Sequence, residues 1–187
     1  MKKILSILTC LIFLGLLVQA ISFARQETPK TGDKKFDTYL KSMNEEARAD
    51  PDGFIRRLSE RHNLPEQEIR EAKDQHNLDF GETYMATVLA RRSNRKVGEI
   101  AAEYKQNQGQ GWGVMAQRMG IKPGSPAFKE MKAEAKGHAD YMKAMNKSRN
   151  KELERERAKE KERQREKEKA RKTKDEAESK GKQDRIR

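Results

Sequence analysis

The sequence predicts an all-α fold: a small bundle of short helices followed by one long helix that runs into a charged, partly disordered tail. Three observations carry this expectation. Apolar side chains recur at three- and four-residue steps between Phe36 and Met145, the period of one helix face. No stretch alternates apolar and polar residues long enough to make a half-buried strand. Helix start signals, an Asp or Ser followed by Pro or an acidic residue, return at short intervals and keep most of the helices short.

Composition bounds the compact part. A chain of 187 residues is one domain's worth, yet 34% of it is hydrophobic and 39% charged, so much of it lies outside any core. Lys and Arg outnumber Asp and Glu by 42 to 30, a net charge of +12. Such a balance points to anionic partners: nucleic acid, lipid headgroups or acidic polysaccharide.

At the N-terminus, Lys2 and Lys3 precede an apolar run from Ile4 to Val18, and Val18-Gln19-Ala20 and Ser22-Phe23-Ala24 both fit a small-residue cleavage site. Residues 1–24 therefore read as a signal peptide, which makes the mature protein periplasmic or secreted. The rival reading is an uncleaved membrane anchor, because Ile4 to Ala24 approaches the roughly 20 residues that cross a bilayer. Gln19 and the shortness of the apolar run favour the signal. Cys10 is the sole cysteine and sits within that run behind Thr9, so no lipidation, disulfide or thiolate metal site is expected of the mature chain.

Residues 25–35 contain Pro29 and Gly32, have no period, and read as a flexible linker. The helical domain is expected over residues 36–145. Phe36, Tyr39, Leu40, Met43 and Ala47 make the first apolar face. Asp50 and Pro51 restart the chain as N-cap and first turn ahead of Phe54, Ile55 and Leu58. Leu64 and Pro65 open a third helix, with Glu66 and Glu68 complementing the helix dipole and Ile69 and Ala72 facing inward. Asp79 and Glu82 have capping-box spacing before Tyr84, Met85, Val88 and Leu89. That helix ends near Ser93 and Asn94, and Val97, Ile100, Ala101 and Tyr104 form the face of a fifth.

The stretch GQGWGVMAQRMGIKPGSPAF, Gly109 to Phe128, is the densest pattern in the chain, with the only Trp, five of the twelve Gly and two of the five Pro. Gly109, Gly111 and Gly113 predict a bend or a close backbone approach. Val114, Met115, Met119 and Ile121 predict a short helix that Gly120 terminates. Pro123 and Gly124 mark a turn, and Ser125 with Pro126 caps a new helix. Phe128, Met131, Ala135, Ala139, Met142 and Met145 give that helix its apolar stripe.

From Asn146 to Arg187 the stripe vanishes into Lys, Arg and Glu with no heptad seam, so no coiled coil is expected. Favourable charge pairs three apart (Glu152 with Arg155, Glu154 with Arg157, Glu162 with Arg165) are offset by like pairs four apart, such as Glu152 with Glu156 and Arg163 with Lys167. The tail at 146–187 thus reads as a frayed helix that becomes disordered after about Thr173.

The runs ETYMATVLARRS and VGEIAAEYKQNQGQGWGVMAQRMGIKPGSPAF resemble a family of small exported bacterial all-α proteins that carry a GxGWGxxAxxxGIKPGS signature. The resemblance covers roughly Phe36 to Lys132. It implies export and a helical fold and brings no activity or catalytic residue with it. The tail departs from the pattern, being rich in Lys, Arg and Glu where more glycine would be expected.

No catalytic constellation is apparent. His62, His76 and His138 lack ligand spacing and read as surface histidines, with no metal or cofactor implied. Ser125 is a helix cap without a nucleophile elbow around it, and GQGWG neither follows a strand nor leads into a phosphate-loop lysine. Trp112 reads as a core residue between the helices bearing Tyr104 and Phe128. Its alternative is a ring flanked by glycines that meets a partner, with Lys122 and Lys129 as basic neighbours. The functional expectation is an exported, monomeric, non-enzymatic structural or interaction protein whose basic tail contacts anionic envelope or extracellular partners. The alternative is a nucleic-acid binder using residues 97–131 as a helix-turn-helix-like segment.

Overall fold

In a computed structural model of the chain, residues 30–183 are described, with side chains through Lys172 apart from Gln108. Residues 1–24, expected to be a signal peptide, and residues 25–29 lie outside these limits. The described residues form seven α-helices and one 3-10 turn, with no strand among them. They belong to two compact units divided between Asp140 and Tyr141.

In the first unit, α1 (Lys34–Ala47), α2 (Pro51–His62), α3 (Glu66–Gln75), α4 (Phe80–Ser93) and α5 (Val97–Gln106) follow one another through short connections. Local chemistry sets most starts. Asp33 accepts hydrogen bonds from the N–H groups of Lys35 and Phe36 at 2.9 and 3.0 Å, and Asp50 accepts from that of Gly53 at 2.9 Å. Each satisfies donors that a helix leaves open in its first turn. Asn63 and Asn94 end α2 and α4 in the left-handed conformation, which Asn tolerates better than most side chains. The start of α5 has no cap of its own. Instead, the carboxylate of Glu68 on α3 accepts from the Val97 N–H at 2.7 Å.

Helix α4 is the centre of the unit. Every residue from Gly81 to Ala90 is buried, so the helix is enclosed on all faces rather than along the single stripe the sequence suggested. Thr83 and Thr87 allow this because their hydroxyls donate to the carbonyls of Asp79 and Thr83, four residues back, at 2.6 and 2.8 Å. Their polar atoms are thereby satisfied without water, and the methyl groups join the core.

The capping box at the start of α4 is formed. The Asp79 carboxylate accepts from the Glu82 N–H at 2.7 Å, and the Glu82 carboxylate accepts from the Asp79 N–H at 3.1 Å. Asn44 of α1 locks onto the same corner, donating to Asp79 at 3.0 Å and accepting from the Gly81 N–H at 2.7 Å. Burial pushes the Asp79 carboxyl up to about 6, against the lowering effect of its hydrogen bonds from Glu82 and Asn44. Asp79→Ala is expected to cost about 1–2 kcal/mol, the upper half of the range for a lost N-cap. Urea denaturation checks this, and Asn44→Ala should show a non-additive cost because both changes open one corner.

A 3-10 turn at Gln108–Gln110 leads into α6 (Gly111–Arg118). The inward side chains of α6 are Trp112, Met115 and Ala116, at i, i+3 and i+4, while Val114 is exposed. This corrects the expected face. The helix begins at Gly111, three residues earlier than the apolar run alone implies, and its buried face is set by Trp112, which leaves Val114 outside it. Gly120 and Gly124 both have positive φ, as the helix stop and the turn require. Ser125 caps α7 (Pro126–Gln183) by accepting from the Phe128 N–H at 3.2 Å.

Phe128, Met131, Ala135 and Ala139 are buried on the first turns of α7, and Phe128 meets Phe36 edge-on at 6.0 Å. The stripe stops short of its expected end: Met145 is 46% exposed. In the second unit α7 continues without a break through Thr173 and Gly181 to Gln183, beyond the point where loss of helix was expected. Lys172 pairs with Glu168 at 2.8 Å one turn earlier, a favourable four-apart contact close to that point.

Candidate functional site

Trp112 is fully buried, at 0% exposure, and its ring stacks on Tyr104 of α5 with centroids 3.9 Å apart and planes inclined by 15°. It is a core residue. The exposed, partner-contacting ring weighed as an alternative is therefore not formed. Its indole N–H has no acceptor among the described residues, which makes the site tight rather than polar.

The glycines around it have a specific task. A short strap, Lys30 to Asp33, crosses the start of α6. The Gly113 N–H donates to the Lys30 carbonyl at 3.3 Å. A Cβ at Gly113 would lie 2.0 Å from the Thr31 carbonyl oxygen, and one at Gly111 would lie 2.6 Å from that of Lys30. Gly111 also has φ +73°, where a side chain is strained. The strap is pinned from its other side, because the Thr31 N–H and hydroxyl both donate to Asp37, at 2.7 and 2.6 Å. Thr31 is only 4% exposed. Residues 30–33 are thus a fixed part of the domain, not the flexible linker that their composition suggested, and Lys132 of α7 adds an ion pair to Asp33 at 2.6 Å. Composition misled here because the strap's order comes from Asp37 and the two glycines, which lie elsewhere in the chain.

Lys122 and Lys129 are exposed, on the turn before α7 and on its first turn. They do not converge with Trp112 into one surface. The remaining surface of the first unit offers an open groove lined by Asn63, Leu64, Glu68, Arg91, Arg95 and Lys96. Arg95 is committed there, with ion pairs to Glu103 at 2.8 Å and Glu99 at 3.4 Å.

Two of the three histidines are not on the surface. His138 is 1% exposed and His62 6%, which corrects their reading as surface residues. His138 lies between Phe54, edge-on at 5.6 Å, and Tyr84, tilted at 5.6 Å, and Tyr84 also meets His62 at 6.3 Å. His62 Nε2 is 3.8 Å from Glu134 Oε1, beyond hydrogen-bond reach. The Nε2 atoms of both histidines and the Tyr84 hydroxyl have no hydrogen-bond partner among the described residues. Burial holds His138 down at about 3, with Arg61, Arg57 and His62 adding repulsion, and burial likewise lowers His62 although Glu134 opposes it. Burial raises the Tyr84 phenol. Helical spacing carries the signal of this burial. His62 follows Leu58 by four and Ile55 by seven, and His138 follows Ala135 by three and Met131 by seven, so both lie on apolar stripes. No group of three His, Cys, Asp or Glu suited to a metal ion occurs among the described residues.

The second unit presents a different surface. Every residue from Lys151 to Lys172 is exposed. These 22 residues hold 11 Lys and Arg against 7 Asp and Glu, and over residues 146–187 the balance is 18 to 11. At 1.5 Å per residue the exposed run extends about 33 Å. The run thus carries a net positive charge along its whole exposed length. No helix among the described residues is long and apolar enough to cross a membrane. In comparisons with family models, curated proteins and solved structures, the chain matches none.

Proposed function

We propose that the protein is an exported, non-enzymatic interaction protein whose basic C-terminal helix holds anionic polymers or acidic envelope partners. The observation that carries this reading is the uninterrupted exposed run Lys151–Lys172 with its surplus of cations. In the first unit, Lys122 and Lys129 are further exposed cations. Export rests on Lys2, Lys3 and the apolar run that follows them.

Binding of this kind works by counterion release, so it is strong at low salt and weakens steeply as salt rises. The test compares the full chain, a form lacking residues 146–187, and a full-length variant with Lys159, Lys161, Lys167 and Lys169 changed to Gln, on immobilised heparin and on random-sequence DNA. Truncation is expected to weaken binding by about tenfold or more near 50 mM salt, with the Gln variant intermediate and its log–log salt slope shallower. Equal retention of all three forms rejects the proposal.

A sequence-specific DNA reader built on residues 97–131 has less support. The connection between α6 and α7 spans residues 119–125, longer than the three or four residues usual in a helix-turn-helix. Its signature would be a defined sequence that outcompetes random DNA by about a thousandfold or more.

A further inference from the structure

We propose that His62 and His138 form an acid-sensitive latch that holds the first turns of α7 on α2 and α4 at neutral pH and releases them on acidification. The geometry is the basis. His138 is the point where three helices meet: it projects from α7 onto Phe54 of α2 and Tyr84 of α4, and Tyr84 links it to His62 at the end of α2. Both imidazoles are enclosed, and neither Nε2 has a hydrogen-bond partner among the described residues. A neutral imidazole behaves there as a flat, largely apolar ring, whereas an imidazolium would bring an extra proton and a full charge into a site where His138 faces no anion and His62 faces only Glu134, at 3.8 Å.

The charges around the pair favour the neutral form. Facing His138 are Arg57, Arg61 and His62 of α2 and the phenol of Tyr84 of α4. Facing His62 are Arg61 beside it, Arg91 and Arg92 of α4, Tyr84, and Glu134 of α7 as the one anion. Arg92 also engages that anion, at 3.6 Å, and reaches Glu130 at 3.3 Å. A proton on His138 therefore meets cations and aromatic rings, and a second proton on His62 adds to the repulsion.

The direction of the effect follows from linkage. Both groups bind protons less readily folded than unfolded, so the stability they permit is complete above the ordinary histidine range near 6.5 and is lost as pH falls toward the folded value, about 3 for His138. At pH 4.5 the unfolded chain has protonated His138 almost completely while the folded chain has not, which lowers the folded-to-unfolded ratio about 100-fold relative to pH 7 from this residue alone. Asp79 works oppositely, because its raised carboxyl favours the folded state as pH falls through about 6. A variant that changes only the histidine separates the two.

The test uses the full chain. Equilibrium unfolding at pH 7 and 4.5 is expected to show a loss of stability in the wild type that shrinks by about 100-fold in equilibrium constant in His138→Gln and by a smaller factor in His62→Gln. An unchanged pH dependence in His138→Gln overturns the latch. If that variant fails to fold, an NMR titration of the wild-type imidazoles decides. His138 signals that stay in the neutral form to below pH 5 while the chain is folded support the latch, and titration near 6.5 overturns it. Amide exchange at pH 4.5 should open residues 54–62 and 126–140 before those around Trp112. Simultaneous opening of both regions overturns the local release.

Discussion

Trp112→Ala is expected to cost about 3–5 kcal/mol of folding stability, the range for deleting a large buried aromatic side chain. The ring is completely enclosed and stacked on Tyr104, and such a pair contributes about 0.5–1.5 kcal/mol beyond the area it removes from water. For a small domain with marginal total stability, a loss of this size populates the unfolded chain appreciably. Urea denaturation followed by circular dichroism measures it without relying on the deleted fluorophore. Trp112→Phe should cost distinctly less, because it keeps an aromatic face against Tyr104 and removes an indole N–H that has no acceptor among the described residues. In the wild type, a blue-shifted emission should move to the exposed value only with global unfolding. An alanine variant within about 1 kcal/mol of wild type would show that the indole is not a core element.

Gly113→Ala is expected to destabilise by about 1–3 kcal/mol or more, at the severe end of overpacking. The reason is what the added methyl meets. The obstacle 2.0 Å away is the Thr31 carbonyl oxygen, part of a backbone held by two hydrogen bonds to Asp37, so it cannot swing aside as a flexible side chain would. Either the strap lifts or α6 shifts. Trypsin cleavage after Lys30 should then accelerate, which separates strap release from a general loss of stability. Gly137→Ala is the matched control. No atom of the described residues beyond its own helix turn lies within 4 Å of the added atom, and the position is inside α7. The same substitution there should stabilise by about 0.5–1 kcal/mol, through the smaller entropy that alanine loses in a helix. Opposite signs at the two glycines would show that close approach, not helix propensity, requires Gly113.

The contrast between these glycines shows how far local signals reach. Asp50 with Pro51, Asp79 with Glu82, and Ser125 with Pro126 mark helix starts in the sequence because a cap and its partners lie within three residues of one another. Gly113 was readable as a special position, yet its cause was not, since the atom it avoids belongs to Thr31, more than eighty residues earlier. The Glu68 cap on Val97 was hidden for the same reason, and so was the complete enclosure of α4. The histidines differ. Their place on apolar stripes was available from spacing, but only the packing of α2, α4 and α7 brings His62, Tyr84 and His138 together.

By itself the sequence determined the all-α class, the order of the helices, most of their boundaries and the separation of a core-forming part from a shorter basic tail. These follow from the period of apolar residues, from caps a few residues long and from composition, all of which act over short stretches of chain. Tertiary structure decided between the two readings of Trp112 in favour of the core, and it alone showed that Lys30–Asp33 is a strap seated on Gly111 and Gly113 and that two histidines are sealed among aromatic rings. Local spacing can mark a residue as inward-facing, but close contact depends on which distant segments meet, and no local pattern carries that information.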